Sequence, residues 1–283
     1  MCSRSTSGAA PDHNDGVRIV SLCPSITESL VALGLAEGLV GVTRYCVHPR
    51  ETTARLRKVG GTKNPDITAI GALAKRVVMY DRAIRNKGWE IRNSYRAIDL
   101  DGRTLGLVGI GRIGTLVARK AAAAFNMKVI AFDPYVKPEK AREMGITLVP
   151  ASEDVFRQAD VVSMHTPLTP ETRGFVNAAR LGLMKPSAFL VNFSRGEVVD
   201  EKALYAALKT DVIAGAAIDV YDPEPPLNDN PLYELDNIIL SPHSAALTQE
   251  CVIRMAVGAA EGVLDVLTGK RPRFVVNPEV LKK

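Results

Sequence analysis

Leu105-Gly106-Leu107-Val108-Gly109-Ile110-Gly111-Arg112-Ile113-Gly114 decides the fold of this 283-residue chain. A continuous apolar run, as a strand buried on both faces requires, ends at three glycines spaced Gly-x-Gly-x-x-Gly, and a helical pattern follows. In such a turn Gly109 permits the tight bend, Gly111 lets a pyrophosphate approach the backbone, and Gly114 lets helix lie close on strand. The helix N-terminus then offers unpaired amides to the phosphates. Asp133 ends the next apolar run, 19 residues beyond Gly114, close to the ~20 expected of an acid that binds an adenosine ribose. Its charge would repel a 2′-phosphate, so the spacing predicts NAD rather than NADP.

Outward from this loop, the pattern is regular. Apolar runs at 104–108, 128–132, 161–164, 188–193, 213–217 and 238–240 read as buried strands. Helical stretches at 113–125, 152–158, 178–184 and 201–208 separate most of them, and 248–267 reads as a long final helix. Strands alternating with helices predict the α/β class, a doubly wound parallel sheet of Rossmann type with right-handed crossovers. Upstream, 17–22 and 39–43 read as strands, and Ser25-x-x-Glu28 as a capping box opening a helix over 26–35. Helical spacing at Leu73, Val77, Tyr80 and Ile84 extends over 67–90, and 274–276 is a last short strand. The expected organisation is a flexible tail over 1–16, a small α/β lobe from 17–96 plus 268–283, and a cofactor domain over 97–267.

Composition sets the outer bounds. With 46% hydrophobic and 24% charged residues the chain is globular rather than disordered. No apolar run reaches the roughly 18 residues of a membrane span, and residues 1–16 hold no apolar stretch for a secretory signal, so a cytoplasmic location is expected. The net charge of +5 is concentrated between Lys75 and Arg96, where seven basic residues face only Asp81 and Glu90. One such stretch is a solvated face or a field for anionic substrates, not a nucleic-acid surface. Cys2, Cys23, Cys46 and Cys251 lack disulfide or zinc spacing, and the Cys46/His48 pair has no further ligands, so no metal is expected.

Three polar residues stand where predicted strands end: Arg195, Glu224 and His243. In an open parallel sheet, ligands bind beyond the carboxyl ends of the strands, so these three should gather there. An arginine can hold a carboxylate through a forked pair of bonds, a histidine can exchange a proton near neutral pH, and a glutamate can orient the imidazole.

Five ordered motifs carry a family resemblance: residues 105–114, His165-Thr-Pro-Leu-Thr-Pro-Glu-Thr172, Val191-Asn-Phe-Ser-Arg-Gly196, Ala217-Ile-Asp-Val-Tyr-Asp-Pro-Glu-Pro225 and Ser241-Pro-His-Ser-Ala245. From about residue 72 to 281 the chain resembles the D-2-hydroxyacid dehydrogenases, phosphoglycerate-dehydrogenase-type members in particular. The resemblance implies hydride transfer between nicotinamide and C2 of a 2-hydroxy or 2-oxo acid. Arg195 would bind the acid, His243 would exchange the proton, and Glu224 would support His243. Cofactor contacts would come from Gly109, Gly111, Arg112, Ile113, Gly114, Asp133, His165, Thr166, Pro167, Thr172, Phe193, Ser194, Asp219, Ser244 and Ala245, with Asp219 on the nicotinamide carboxamide. It further implies a homodimer formed through the cofactor domain.

The likeness stops upstream. The family carries a flavodoxin-like substrate domain there, whereas residues 17–70, with Arg18-Ile-Val-Ser-Leu-Cys-Pro-Ser-Ile-Thr-Glu28 and Val59-Gly-Gly-Thr-Lys-Asn-Pro-Asp-Ile67, resemble the first lobe of a vitamin-B12-type periplasmic substrate-binding protein. The chain therefore reads as a fusion. One expectation is a working dehydrogenase; the alternative is an NAD-binding chimera with little or no turnover, because its substrate lobe is replaced.

Overall fold

The computed structural model describes residues 65–94, 96–273 and 275, together with the backbone of three strands before them. The expected tail 1–16, helix 26–35, Cys46/His48 pair and the strand at 274–276, whose single described residue is Val275, lie outside this set or rest on residues outside it. The chain divides into two compact units, Met1–Lys63 and Asn64–Lys283. In the first unit β1 (Ile19–Ser21), β2 (Leu39–Thr43) and β3 (Arg57–Val59) form a parallel sheet in that order.

The second unit is built on seven parallel strands: β4 (Thr104–Val108), β5 (Lys128–Phe132), β6 (Thr147–Leu148), β7 (Val161–Met164), β8 (Phe189–Asn192), β9 (Gly215–Ile218) and β10 (Ile238–Leu240). Their order is β10-β9-β8-β7-β4-β5-β6, the doubly wound arrangement that the alternation predicts. Chain direction across the sheet reverses between β4 and β7, whose residues Leu105 and Val161 are in register. A crevice beyond the carboxyl ends of the strands follows from that reversal.

Both faces are covered, which is why the central strands are apolar throughout. On one face α1 (Pro65–Ala74) and α3 (Arg112–Phe125) lie over the sheet, with Ile70, Leu73, Val117 and Ala121 buried against Leu105, Leu107, Phe189 and Val191. On the other, α5 (Ser152–Gln158), α6 (Ala178–Leu181) and α7 (Glu201–Lys209) bury Val155, Phe156, Leu181, Leu204 and Leu208. Each such aliphatic or aromatic side chain contributes about 1.5–3 kcal/mol by leaving water. Gly106 in β4 is required by this packing, since a Cβ there would lie 2.6 Å from a methyl of Val155.

The helical segment expected over 67–90 is three elements. α1 is followed by α2 (Val77–Arg85) and a 3₁₀ turn, Trp89–Ser94. The break is at Arg76, which adopts φ 53 while its guanidinium donates to the carbonyl of Ala214 at 2.8 Å and stacks over Phe189. α1 packs on the large sheet, with Ile70, Leu73 and Ala74 among the residues of its core. Three of the seven basic residues between Lys75 and Arg96 are ion-paired: Lys75 with Asp99, Arg82 with Asp236 and Arg85 with Asp81. The two-residue β6, the short α4 (Pro138–Glu143) and β3 are elements the sequence reading does not contain. The last helix, α8 (Gln249–Leu267), buries none of its residues. Among the described residues no helix is long and apolar enough to cross a membrane.

Candidate active site

β4 runs into the glycine turn, and α3 leaves it, as the spacing requires. Gly109 sits at φ 91, where a side chain is strained, and a Cβ on it would lie 2.7 Å from the carbonyl oxygen of His165. A Cβ on Gly114 would lie 2.4 Å from the carbonyl oxygen of Gly109, so the turn and the helix can close only on glycine. Gly111 differs: nothing lies within 4 Å of its would-be Cβ, leaving its backbone open to an incoming anion. Arg112 and Ile113 are exposed on the first turn of α3.

Asp133, at the exit of β5, accepts the backbone N–H of Ile110 at 2.9 Å through Oδ2 and that of Tyr135 at 2.9 Å through Oδ1. It therefore ties the glycine turn to the neighbouring strand, and each oxygen keeps a lone pair for a further donor. His165, at the exit of β7, bonds Ser163 Oγ through Nε2 at 3.0 Å, and burial pushes its pKa down to about 4. It is a neutral strut against the turn. Thr166 follows, its Oγ1 buried and without a partner. Beyond the exposed Pro167, Thr172 Oγ1 donates to the Pro167 carbonyl at 2.7 Å and closes the loop.

The exits of β8, β9 and β10 carry the other residues. Asn192, 1% exposed, accepts the Ser194 amide at 3.1 Å and its hydroxyl at 2.7 Å, and donates to the carbonyl of Arg195 at 2.9 Å. This bracket holds Arg195 with an exposed side chain, half-buried Phe193 and Ser194 preceding it. Gly196 locks the turn onto the next strand exit, since a Cβ would lie 1.8 Å from the carbonyl oxygen of Tyr221.

Asp219 is 1% exposed, and its carboxylate accepts Ser241 Oγ at 2.6 Å and the amides of Ser244 and Ala245 at 2.9 Å each. In this structure it holds the turn around His243. Tyr221 adds a second tie, donating its hydroxyl to the carbonyl of Ser241 at 2.9 Å, with burial pushing its pKa up to about 12. His243 itself adopts φ 50, a conformation a bulky residue takes only where its surroundings impose it. Its Nδ1 lies 2.7 Å from Oε1 of Glu224. An ionised carboxylate only accepts, so Nδ1 carries the proton and Nε2 is left as the working nitrogen.

The structure thus pairs Glu224 with His243 and places Arg195 on an adjacent strand exit. Asn192, Gly196, Tyr221 and Ser241 are missing from the sequence reading. All four lie inside quoted motifs, but only the fold reveals the cross-strand partners of Gly196, Tyr221 and Ser241.

Comparison with known proteins places the chain in a family. Residues 67–245 match the family described as D-isomer specific 2-hydroxyacid dehydrogenase, NAD binding domain. The D-3-phosphoglycerate dehydrogenase of Methanocaldococcus jannaschii is 41% identical over 206 residues, which are 73% of this chain and 39% of that protein. The glyoxylate reductase of Korarchaeum cryptofilum is 43% identical over 214 residues, 75% of this chain and 64% of that one. The chain spans less than two thirds of either relative's length. The crystal structure of D-lactate dehydrogenase with NAD+ from Lactobacillus jensenii superposes with a TM-score of 0.67 at 26% identity, covering 88% of this chain and 82% of that one.

Proposed function

The chain belongs to the D-isomer specific 2-hydroxyacid dehydrogenase family through its NAD binding domain, and we propose that it transfers hydride between a nicotinamide cofactor and a small 2-hydroxy or 2-oxo acid. The observation that carries the reading is the Glu224–His243 pair at 2.7 Å on strand exits beside that of Arg195, at the end of the sheet where the glycine turn lies. The residues fit the cofactor: Gly111 is open, Thr166 Oγ1 is buried and unsatisfied, and Asp133 retains acceptor capacity at the ribose position. NAD, when bound, supplies the hydride acceptor or donor at nicotinamide C4. Gly109, Gly111, Arg112, Ile113 and Gly114 hold the pyrophosphate side, and Asp133 favours NAD over NADP by charge. His165, Thr166, Pro167, Thr172, Phe193, Ser194, Ser244 and Ala245 line the path towards nicotinamide, with Asp219 fixing the last two.

Arg195 receives the substrate carboxylate through paired charged hydrogen bonds. His243 Nε2 exchanges a proton with the C2 oxygen, and Glu224 keeps the imidazole in the required tautomer. The same reading places the protein in the cytoplasm, as a homodimer through the cofactor unit. The test is NADH absorbance with the purified chain and a panel of small 2-oxo acids; oxidation with one of them supports the assignment.

A second reading has its own observation. The match to the NAD binding domain begins at residue 67, and the resemblance of residues 17–70 to a vitamin-B12-type binding lobe supports a chain whose flavodoxin-like substrate lobe is replaced. On that reading the chain is a cofactor-binding fusion with little or no turnover. NADH binding without consumption by any acid of the panel would favour it.

A further inference from the structure

One buried acid has no part in the chemistry above. Asp66, in the first turn of α1, is 3% exposed, and its Oδ1 has no hydrogen-bond partner among the described residues. An ionised carboxylate with a bare, buried oxygen is costly, whereas a neutral carboxylic acid is not. α1 packs on β8, β9, α2 and α3. Of the charges on or next to these elements, Asp219, beyond β9, opposes ionisation of Asp66 and Lys120, on α3, favours it; β8 carries none, and α2 lies at the other end of α1. Burial is the largest influence and Asp219 adds to it, against the partial relief of Lys120 and of a backbone hydrogen bond, so the carboxyl is pushed up to about 7.

Asp219 is the residue that grips Ser241, Ser244 and Ala245 on either side of His243. We propose that Asp66 is a proton-linked positioning residue for the nicotinamide side of the site, its neutral form allowing Asp219 to hold the 241–245 turn and its ionised form opposing that grip. This deepens the proposed function, since it rests on Ser244 and Ala245 lying along the cofactor.

The coupling must be reciprocal. If ordering of the turn around the cofactor favours neutral Asp66, then NADH binding favours the protonated enzyme and weakens as Asp66 ionises. Asp66→Asn, which removes the charge and keeps the shape, should bind NADH with the low-pH affinity of the wild type at every pH.

The experiment is calorimetric titration with NADH from pH 5.5 to 8.5. The expected result is an affinity for the wild type that falls about fivefold, with a midpoint near neutrality, and a flat profile for Asp66→Asn. Parallel profiles would overturn the proposal. Should the variant fail to fold, carbon-13 titration of the Asp66 carboxyl in the wild type decides: its midpoint rises on saturation with NADH if the coupling exists, and an unmoved midpoint refutes it. Neither readout needs turnover. Failure of all 2-oxo acids with the pH-linked binding intact would therefore sink the proposed reaction alone, and turnover with parallel profiles would sink the Asp66 assignment alone.

Discussion

The two halves of the large sheet hold their ends by different means. Around β4 and β5 the site is made of backbone: Gly109 and Gly114 are bare because carbonyl oxygens occupy the space of a side chain, and Gly111 is open for a ligand. Around β8, β9 and β10 it is made of buried side chains: Asn192 brackets the turn that follows it and presents Arg195, while Asp219 and Tyr221 reach across to the turn that presents His243. On the proposed reading the first half positions a cofactor by shape, which tolerates no added atoms at Gly109 and Gly114. The second positions Arg195 and His243 through hydrogen bonds, which can be removed one at a time. Cofactor affinity and turnover should therefore be separable by mutation.

The largest effect tests that separation from the catalytic side. Arg195→Ala or His243→Ala should lower kcat/KM by about a thousandfold while NADH affinity stays within about twofold. A comparable loss of NADH affinity would mean that the two halves are one unit. From the cofactor side, Gly114→Val forces atoms into the space of the Gly109 carbonyl, and should weaken NADH binding by about a hundredfold without selecting among 2-oxo acids. Fluorescence titration reads this directly.

The halves also differ in how much of them is visible in the sequence. Backbone requirements leave a local mark: the glycine spacing, the strand before it and Asp133 after it can all be read within 30 residues. β4, β5, β7 and β10 likewise have the expected bounds because their apolar runs are continuous and end at turns. The side-chain brackets leave no such mark. Asn192 looks like any polar residue at a strand end, and nothing near Asp219 in the chain announces the three donors, 22 to 26 residues away, that its carboxylate accepts. Arg76 ends α1 without a glycine or proline to announce it, because the cause is a carbonyl 138 residues distant. The two-residue β6 is too short to show a period.

A smaller effect sharpens the second half. Asn192→Ala releases both Ser194 and the Arg195 carbonyl, and should raise KM for the 2-oxo acid about tenfold with kcat less affected, because the misplaced group is the one that binds substrate. Asn192→Asp, which keeps the acceptor for Ser194 and loses the donor to Arg195, should recover part of the loss. An unchanged KM in both would show that Arg195 is positioned by something else.

A test of a different kind belongs to the first half and to stability. His165 has its pKa lowered from 6.5 to about 4, so its neutral form contributes stability that is complete above about pH 6.5 and is lost as pH falls towards 4. Thermal unfolding should show the wild type losing about 2 kcal/mol more than His165→Asn over that interval. Equal losses would show that His165 is not the buried neutral strut described.

The most direct test of the central claim is to follow the hydride. NADH deuterated at C4 on the transferring face, incubated with the chain and the 2-oxo acid that it consumes, should give a 2-hydroxy acid bearing one deuterium at C2 by mass spectrometry, formed about a thousandfold more slowly with His243→Ala. Bound NADH with no label reaching any product would contradict the account and leave a cofactor-binding fusion in its place.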